Sequence, residues 1–169
     1  MKYACAMSEI KPANFPDELE HVIAILREYI ASPRVSLAFQ NYEAEFAALP
    51  GKYAAPEGRL LLAWKGQAVV GCAALRRVDA STCEMKRVYV RPGARGENLG
   101  RRLVEGILAE ARAAGYSRVC LDVLPEFSAA QRIYESLGFL PAEPVAFNPV
   151  PGTKFLALEL TPSGLTDAA

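Results

Sequence analysis

The sequence predicts one domain of the α/β (α+β) class, built on a mixed sheet, and three observations carry that reading. Leu60 to Trp64, the turn Lys65-Gly66, and Ala68 to Leu75 read as a hairpin feeding a further strand from Cys83 to Val90, which makes an antiparallel meander. That strand ends at Pro92-Gly93 and delivers a glycine-bearing loop into a helix, on which Leu99, Leu103, Val104, Ile107, Leu108 and Ala111 share one stripe. A second strand-to-helix unit follows, Val119 to Val123 and then a short helix carrying Ala130, Ile133, Tyr134 and Leu137. The alternation implies a parallel pairing.

Taken in order, Met1 to Ile10 supplies a first strand and Lys11 to Phe15 a connector. Pro16 suits a first helical position, and Asp17 and Glu18 suit the positive end of a helix dipole. Leu19, Val22, Ile23, Leu26, Tyr29 and Ile30 then form an i, i+3, i+4, i+7 stripe closed by Pro33. Val35 to Leu49 carries a second, less regular helical pattern through Leu37, Phe39, Tyr42, Phe46 and Leu49, ending in Pro50-Gly51. The helix after the glycine-bearing loop closes near Gly115, a left-handed cap. Ser128 and Gln131 form a Ser-x-x-Gln capping box, and Gly138 stops that helix. Phe155 to Leu160 is a last strand after the turn-rich Asn148-Pro149-Val150-Pro151-Gly152. Residues 1–160 form the domain and residues 161–169 a frayed tail.

Composition narrows the function. At 169 residues and 51% hydrophobic content the chain holds one sizeable core. The formal net charge is zero, and no element interleaves basic and aromatic residues, which argues against nucleic acid as a partner. Cys5, Cys72, Cys83 and Cys120 lack metal-ligand spacing, so no metal is expected, and three of them sit in apolar strand-like runs as packed thiols of a reducing compartment. Tyr3 to Met7 is too short for a signal sequence and no run is long enough to span a membrane, which gives a cytoplasmic reading with no membrane partner. His21 has no acid or cysteine near it at metal spacing and reads as a solvated side chain, and no serine has a His-Asp partner set.

The chemistry concentrates in the loop Arg95-Gly96-Glu97-Asn98-Leu99-Gly100. The first turn of the helix it enters leaves backbone N–H groups without partners, and unpaired amides at the positive end of a dipole attract anions. Gly96 and Gly100 permit close approach of a phosphate, and Arg95, Arg101 and Arg102 add positive charge. A P-loop would need Lys-Ser/Thr where Arg101-Arg102 stands, and the G-x-G-x-x-G spacing of a dinucleotide fold is missing. The segment instead resembles the acyl-CoA signature Arg/Gln-x-x-Gly-x-Gly/Ala of the GNAT acyltransferases. Asn98 replaces the first glycine, and Asn tolerates left-handed backbone. A second segment, Ala129 to Phe139, is similar to the motif of that family ending Leu/Ile-Tyr-Glu-x-Leu-Gly-Phe. The two motifs are separated by one helix and one strand, in the order of the family. Phe127 stands where many members carry a cofactor-contacting Asn.

The resemblance implies a GNAT-like mixed, centrally splayed sheet of about seven strands flanked by about four helices, with acyl-CoA in the gap between the Cys83 and Val119 strands. Val88 and Val90 would offer backbone contacts to the pantetheine arm, and an N–H near Val88 or Tyr89 would polarise the thioester carbonyl. The pyrophosphate would rest on Arg95, Gly96, Glu97, Asn98, Leu99 and Gly100, beside Arg101. Tyr134 resembles the tyrosine that protonates the departing thiolate, and Glu84 the carboxylate that serves as base. Phe39, Tyr42 and Phe147 would line the acceptor pocket. The function implied is N-acetyl transfer from acetyl-CoA, as cosubstrate, to a primary amine of a small molecule or protein by direct attack in a ternary complex. The alternative is a non-catalytic acyl-CoA sensor or regulatory module. The same resemblance leaves a homodimer open.

Overall fold

The computed structural model describes residues 7–161. Seven strands form one sheet in the order β1-β2-β3-β4-β5-β7-β6. The strands are β1 (Glu9–Pro12), β2 (Arg59–Lys65), β3 (Ala68–Arg77), β4 (Thr82–Val90), β5 (Arg118–Val123), β6 (Leu140–Pro141) and β7 (Lys154–Glu159); the helices are α1 (Leu19–Ala31), α2 (Tyr42–Ala47), α3 (Leu99–Ala113) and α4 (Ser128–Ser136). β1 to β4 pair antiparallel, as the meander expectation requires of β2 to β4, and β4 to β5 is the one parallel pairing among the described residues. β1 lies further along the chain than Met1 to Ile10. Its pairing ends at Pro12, which an edge strand tolerates because the ring has no N–H to give. Residues 1–6, with Cys5, and the 162–169 part of the tail lie outside the described residues.

The sheet is coated on both faces. Leu103, Val104, Ile107 and Ala111 of α3 are fully buried against Leu61, Ala73, Leu75, Cys83 and Met85. The fit is close at Gly71, where a Cβ would come within 2.9 Å of Leu103 Cδ1 and 3.1 Å of the Tyr89 carbonyl. On the other face Val22, Ile25 and Leu26 of α1 cover Leu60, Leu62, Cys72 and Ala74. His21 is exposed and stacks edge-on against Trp64, ring centroids 5.1 Å apart. Cys72, Cys83 and Cys120 are buried free thiols.

The region Val35 to Leu49 departs from a single helix. It divides into a 3₁₀ turn at Ala38–Gln40 and the short α2, with Asn41 between them in the left-handed region at φ 52°. A left-handed residue interrupts the helical ladder, and here the break lets two side chains converge on one cation. Arg87 of β4 donates through Nη1 to Gln40 and through Nε to Glu45 Oε2 at 3.0 Å. Tyr53 Oη and Lys52 complete the shell around Glu45. Arg87 is 2% exposed, so the pair is desolvated and fastens the α2 segment to the sheet.

Two consequences of that pair are measurable. Glu45→Ala should destabilise the fold by roughly 3–5 kcal/mol in urea unfolding, because it strands a buried guanidinium. Burial pushes the Glu45 carboxyl up, but Arg87, with hydrogen bonds from Lys52 and Tyr53, outweighs it and holds the group below its ordinary 4.5. A lowered carboxyl contributes stability that is complete above 4.5 and is lost as pH falls through the folded value. Wild type should therefore lose stability to acid more steeply below pH 4.5 than Glu45→Ala does.

Candidate active site

The β4–β5 ladder is short. Thr82 pairs with Arg118, Cys83 with Val119 and Glu84 with Cys120, and there it stops. β4 continues to Val90 bonded only to β3, while β5 continues to Val123 bonded only to β7. The two strands part, and a cavity of about 770 Å³ fills the gap, within the size range of ligand pockets.

A bulge lies on the β4 side of this gap. Cys72 pairs with Tyr89 and Ala74 with Lys86, so β4 carries an extra residue here, and Arg87 sits at φ 60°. A bulky residue with left-handed backbone is strained unless its surroundings hold it. The ion pair with Glu45 holds the side chain, and the Cys72 thiol donates to the Arg87 carbonyl at 3.1 Å. Beyond the bulge Val88, Tyr89 and Val90 line the cavity.

The loop at the start of α3 forms the next wall. Arg95, Gly96, Asn98, Leu99, Gly100 and Arg101 all line the cavity; Glu97 does not, and it pairs with Lys65 instead. Asn98 takes left-handed backbone, φ 57°, so it does the conformational work of the glycine it replaces. The first helical amide with a carbonyl partner is that of Arg102, bonded to Asn98 O at 3.1 Å, which leaves the preceding amides of the turn available to an anion. Gly100 is closely packed: a Cβ would stand 3.4 Å from Ile133 Cδ1. Arg95 Nε donates to the Val90 carbonyl, and Arg101 is held by Glu105 and Ser136. Arg102 turns away to the Ser8 carbonyl.

Helix α4 closes the far side with Ala130, Ile133 and Tyr134. Tyr134 is 5% exposed and packs against Phe139 with centroids 5.6 Å apart. Burial, followed by the nearby Tyr29 and Asp122, pushes its phenol well above the usual tyrosine range, so it holds its proton at neutral pH. The expected Ser128/Gln131 capping box is not formed. α4 has no side-chain cap, and Gln131 Nε2 donates to the carbonyls of Leu124 and Pro125, tying the helix to the preceding loop. Phe127, at the position of the family asparagine, lines the cavity and packs on the core.

Glu84 is 1% exposed and has no surface on the cavity. Arg76 Nη2 donates to its Oε2 at 2.6 Å and Lys86 Nζ to its Oε1 at 3.2 Å, and Lys86 is the member of that cluster that lines the cavity. Asp122 lines the cavity and sequence reasoning passed over it. It accepts a hydrogen bond from Asn148 Nδ2 at 3.0 Å. The signal was there: it is the lone acid in Val119 to Leu124, alternating with Val119, Leu121 and Val123 and so facing away from the α3 core. Tyr29, Gln40, Lys86 and Arg87 are further wall residues that were missed. Phe39, Tyr42 and Phe147 are not in the wall. Phe39 and Phe147 meet edge to face at 6.3 Å, each next in sequence to a wall residue, Gln40 and Asn148, while Tyr42 packs on Phe46.

Comparison with known proteins gives a consistent result. The sequence pattern of the Acetyltransferase (GNAT) family matches residues 21–139. An uncharacterised N-acetyltransferase of Schizosaccharomyces pombe is 36% identical over 90% of this chain and 94% of its own length. Among solved structures, an acetyltransferase from Streptococcus agalactiae superposes with a TM-score of 0.72 at 25% identity, covering 94% of this chain and 100% of that one. A Salmonella typhimurium structure solved with its cofactor acetyl-CoA has a TM-score of 0.69 at 22% identity, over 97% of this chain and 100% of that one, and shares the fold. With the splayed β4–β5 pair and the anion-ready start of α3 already in view, the match over most of the chain makes this protein a member of the GNAT acetyltransferase family.

Proposed function

We propose that the protein transfers an acetyl group from acetyl-CoA to a primary amine by direct attack in a ternary complex. The observation that carries the reading is the parting of β4 from β5 directly beside a helix start with free amides, with Tyr134 in the same wall. The amides of Gly96 to Gly100, with Arg101, suit a pyrophosphate. The unpaired edge of β4 at Val88 and Val90 suits the amides of a pantetheine arm, and an N–H at Val88 or Tyr89 suits the thioester oxygen.

The nitrogen of an ammonium must lose two protons and the departing sulfur must gain one. A carboxylate takes the first proton and frees the amine, whose nitrogen forms its bond to the thioester carbonyl carbon. As the C–S bond breaks, the thiolate takes the Tyr134 proton, and the second proton, released from the nitrogen of the adduct, restores the phenol. Glu84, the base expected from the family, would meet an acceptor only through Lys86 or an ordered water. Asp122 stands in the wall itself, on the strand facing the acceptor side, and we assign it the base, with Glu84 fixing Lys86. A non-catalytic acyl-CoA-binding module would use the same fold; a phenol and a carboxylate facing one cavity favour transfer. The buried thiols of Cys72, Cys83 and Cys120 support a reducing, cytoplasmic setting.

Tyr134→Phe keeps the packing volume and removes the proton. Thiol release with an amine acceptor should fall by roughly 10²–10⁴, with the thermal stabilisation by acetyl-CoA unchanged. Unchanged turnover would return Tyr134 to a packing role.

The base is identified by the pH dependence of two variants. Asp122→Asn should show a rate deficit of roughly 10²–10⁴ below the amine pKa that shrinks as pH rises, because free amine then replaces the lost base. Glu84→Gln should show a deficit that does not change with pH. The opposite pattern would assign the base to Glu84.

A further inference from the structure

The acceptor side of the cavity carries positive charge that acetyl transfer does not use. Lys86 lines the cavity with 11% of its side chain exposed. Its partner Glu84 is shared with Arg76, and the partner of Arg87, Glu45, is shared with Lys52. Two carboxylates therefore serve four cations. Arg87, 2% exposed and also in the cavity wall, leaves Nη2 buried with no hydrogen-bond partner.

Such an arrangement leaves cationic donors open to a ligand. A buried cationic N–H lacking an acceptor forfeits its hydration, and a buried ammonium with half a counter-ion does the same in part. Burial lowers the Lys86 pKa; Glu84 opposes the fall, the neighbouring Arg87 guanidinium adds to it, and Asp122 opposes it in turn. Across the gap the polarity reverses, with Asp122 and Glu126 in the wall. The cavity is thus cationic along β4 and anionic along β5 and the segment after it. A molecule with one cationic and one anionic end matches both walls at once.

We propose that the acceptor is an amino carboxylate: its amine meets Asp122, and its carboxylate is received by Lys86, with the Arg87 guanidinium as second positive charge behind it. The assignment rests on the transfer reading for the amine end, while the carboxylate end rests on the β4 cations alone.

The test is calorimetric binding to the protein saturated with CoA. The probes are the common L-amino acids, β-alanine and γ-aminobutyrate, each paired with its primary amide, on wild type, Lys86→Met and Lys86→Arg. At least one acid should bind roughly tenfold or more tightly than its amide, the worth of a charge-assisted hydrogen bond. Lys86→Met should erase that preference and Lys86→Arg should keep most of it. Equal binding of acid and amide, an undiminished preference in Lys86→Met, or no binding by any acid of the panel overturns the proposal. Thiol release from acetyl-CoA is read in parallel and separates the two readings. Lys86-dependent acid binding without thiol release contradicts transfer and upholds the carboxylate site. Thiol release from acids and amides alike overturns the carboxylate site and leaves transfer intact.

Discussion

β4 and β5 are joined by a ladder that ends at Glu84 and Cys120, and the site exists because it ends there. A parallel pair carried on to Val90 and Val123 would leave no gap, no free strand edge and no route from the start of α3 to the acceptor side. The bulge at Arg87 works against continued pairing, since an extra residue shifts the β4 register and bends the strand. Its strained backbone is maintained by Glu45 and Gln40 on one side and the Cys72 thiol on the other. An unpaired strand edge is a liability on a protein surface. Here it is lodged beneath α4 and beside the loop of α3, where a ligand with its own amides can use it.

The same constraint explains where polar groups enter the sheet. On the α3 face, Cys83, Met85, Val119, Leu121 and Val123 form an unbroken apolar layer. On the opposite face Glu84, the last paired residue of β4, and Lys86, Arg87 and Asp122, which line the gap, replace it. Buried charge of this kind is weak evidence for stability, because desolvation offsets most of the attraction. Among the described residues, the buried charged side chains of the sheet, Glu84 and Arg87, both lie where the β4–β5 ladder ends.

The fold was legible where local pattern decides structure. The stripe from Leu99 to Ala111 became the buried face of α3, and Asn98 was read as a left-handed substitute for glycine and adopts φ 57°. The glycine-bearing loop and Tyr134 stand out through the two motifs, and Arg95, Gly96, Asn98, Leu99, Gly100, Arg101 and Tyr134 stand in the cavity wall. What escaped depends on partners distant in sequence. Gln131 fits a capping box by spacing, yet the Leu124 and Pro125 carbonyls claim its side chain. Glu84 lies at the end of the ladder, and only the β3 register, which sets Arg76 opposite it, shows that it is clamped and covered. Val35 to Leu49 has helical periodicity, and the cation that divides it comes from β4. Aromatic Phe39 and Phe147 meet each other outside the cavity wall, with Phe147 still exposed.

The central claim, that acetyl-CoA occupies the gap between β4 and β5, is tested most directly by amide hydrogen exchange read residue by residue with and without acetyl-CoA. The account predicts that protection rises at Val88 to Val90 and at Gly96 to Arg101, while the paired segment Thr82 to Glu84, already bonded to β5, changes little. Protection that spares Val88 to Val90 and Gly96 to Arg101 and falls on another surface would contradict it.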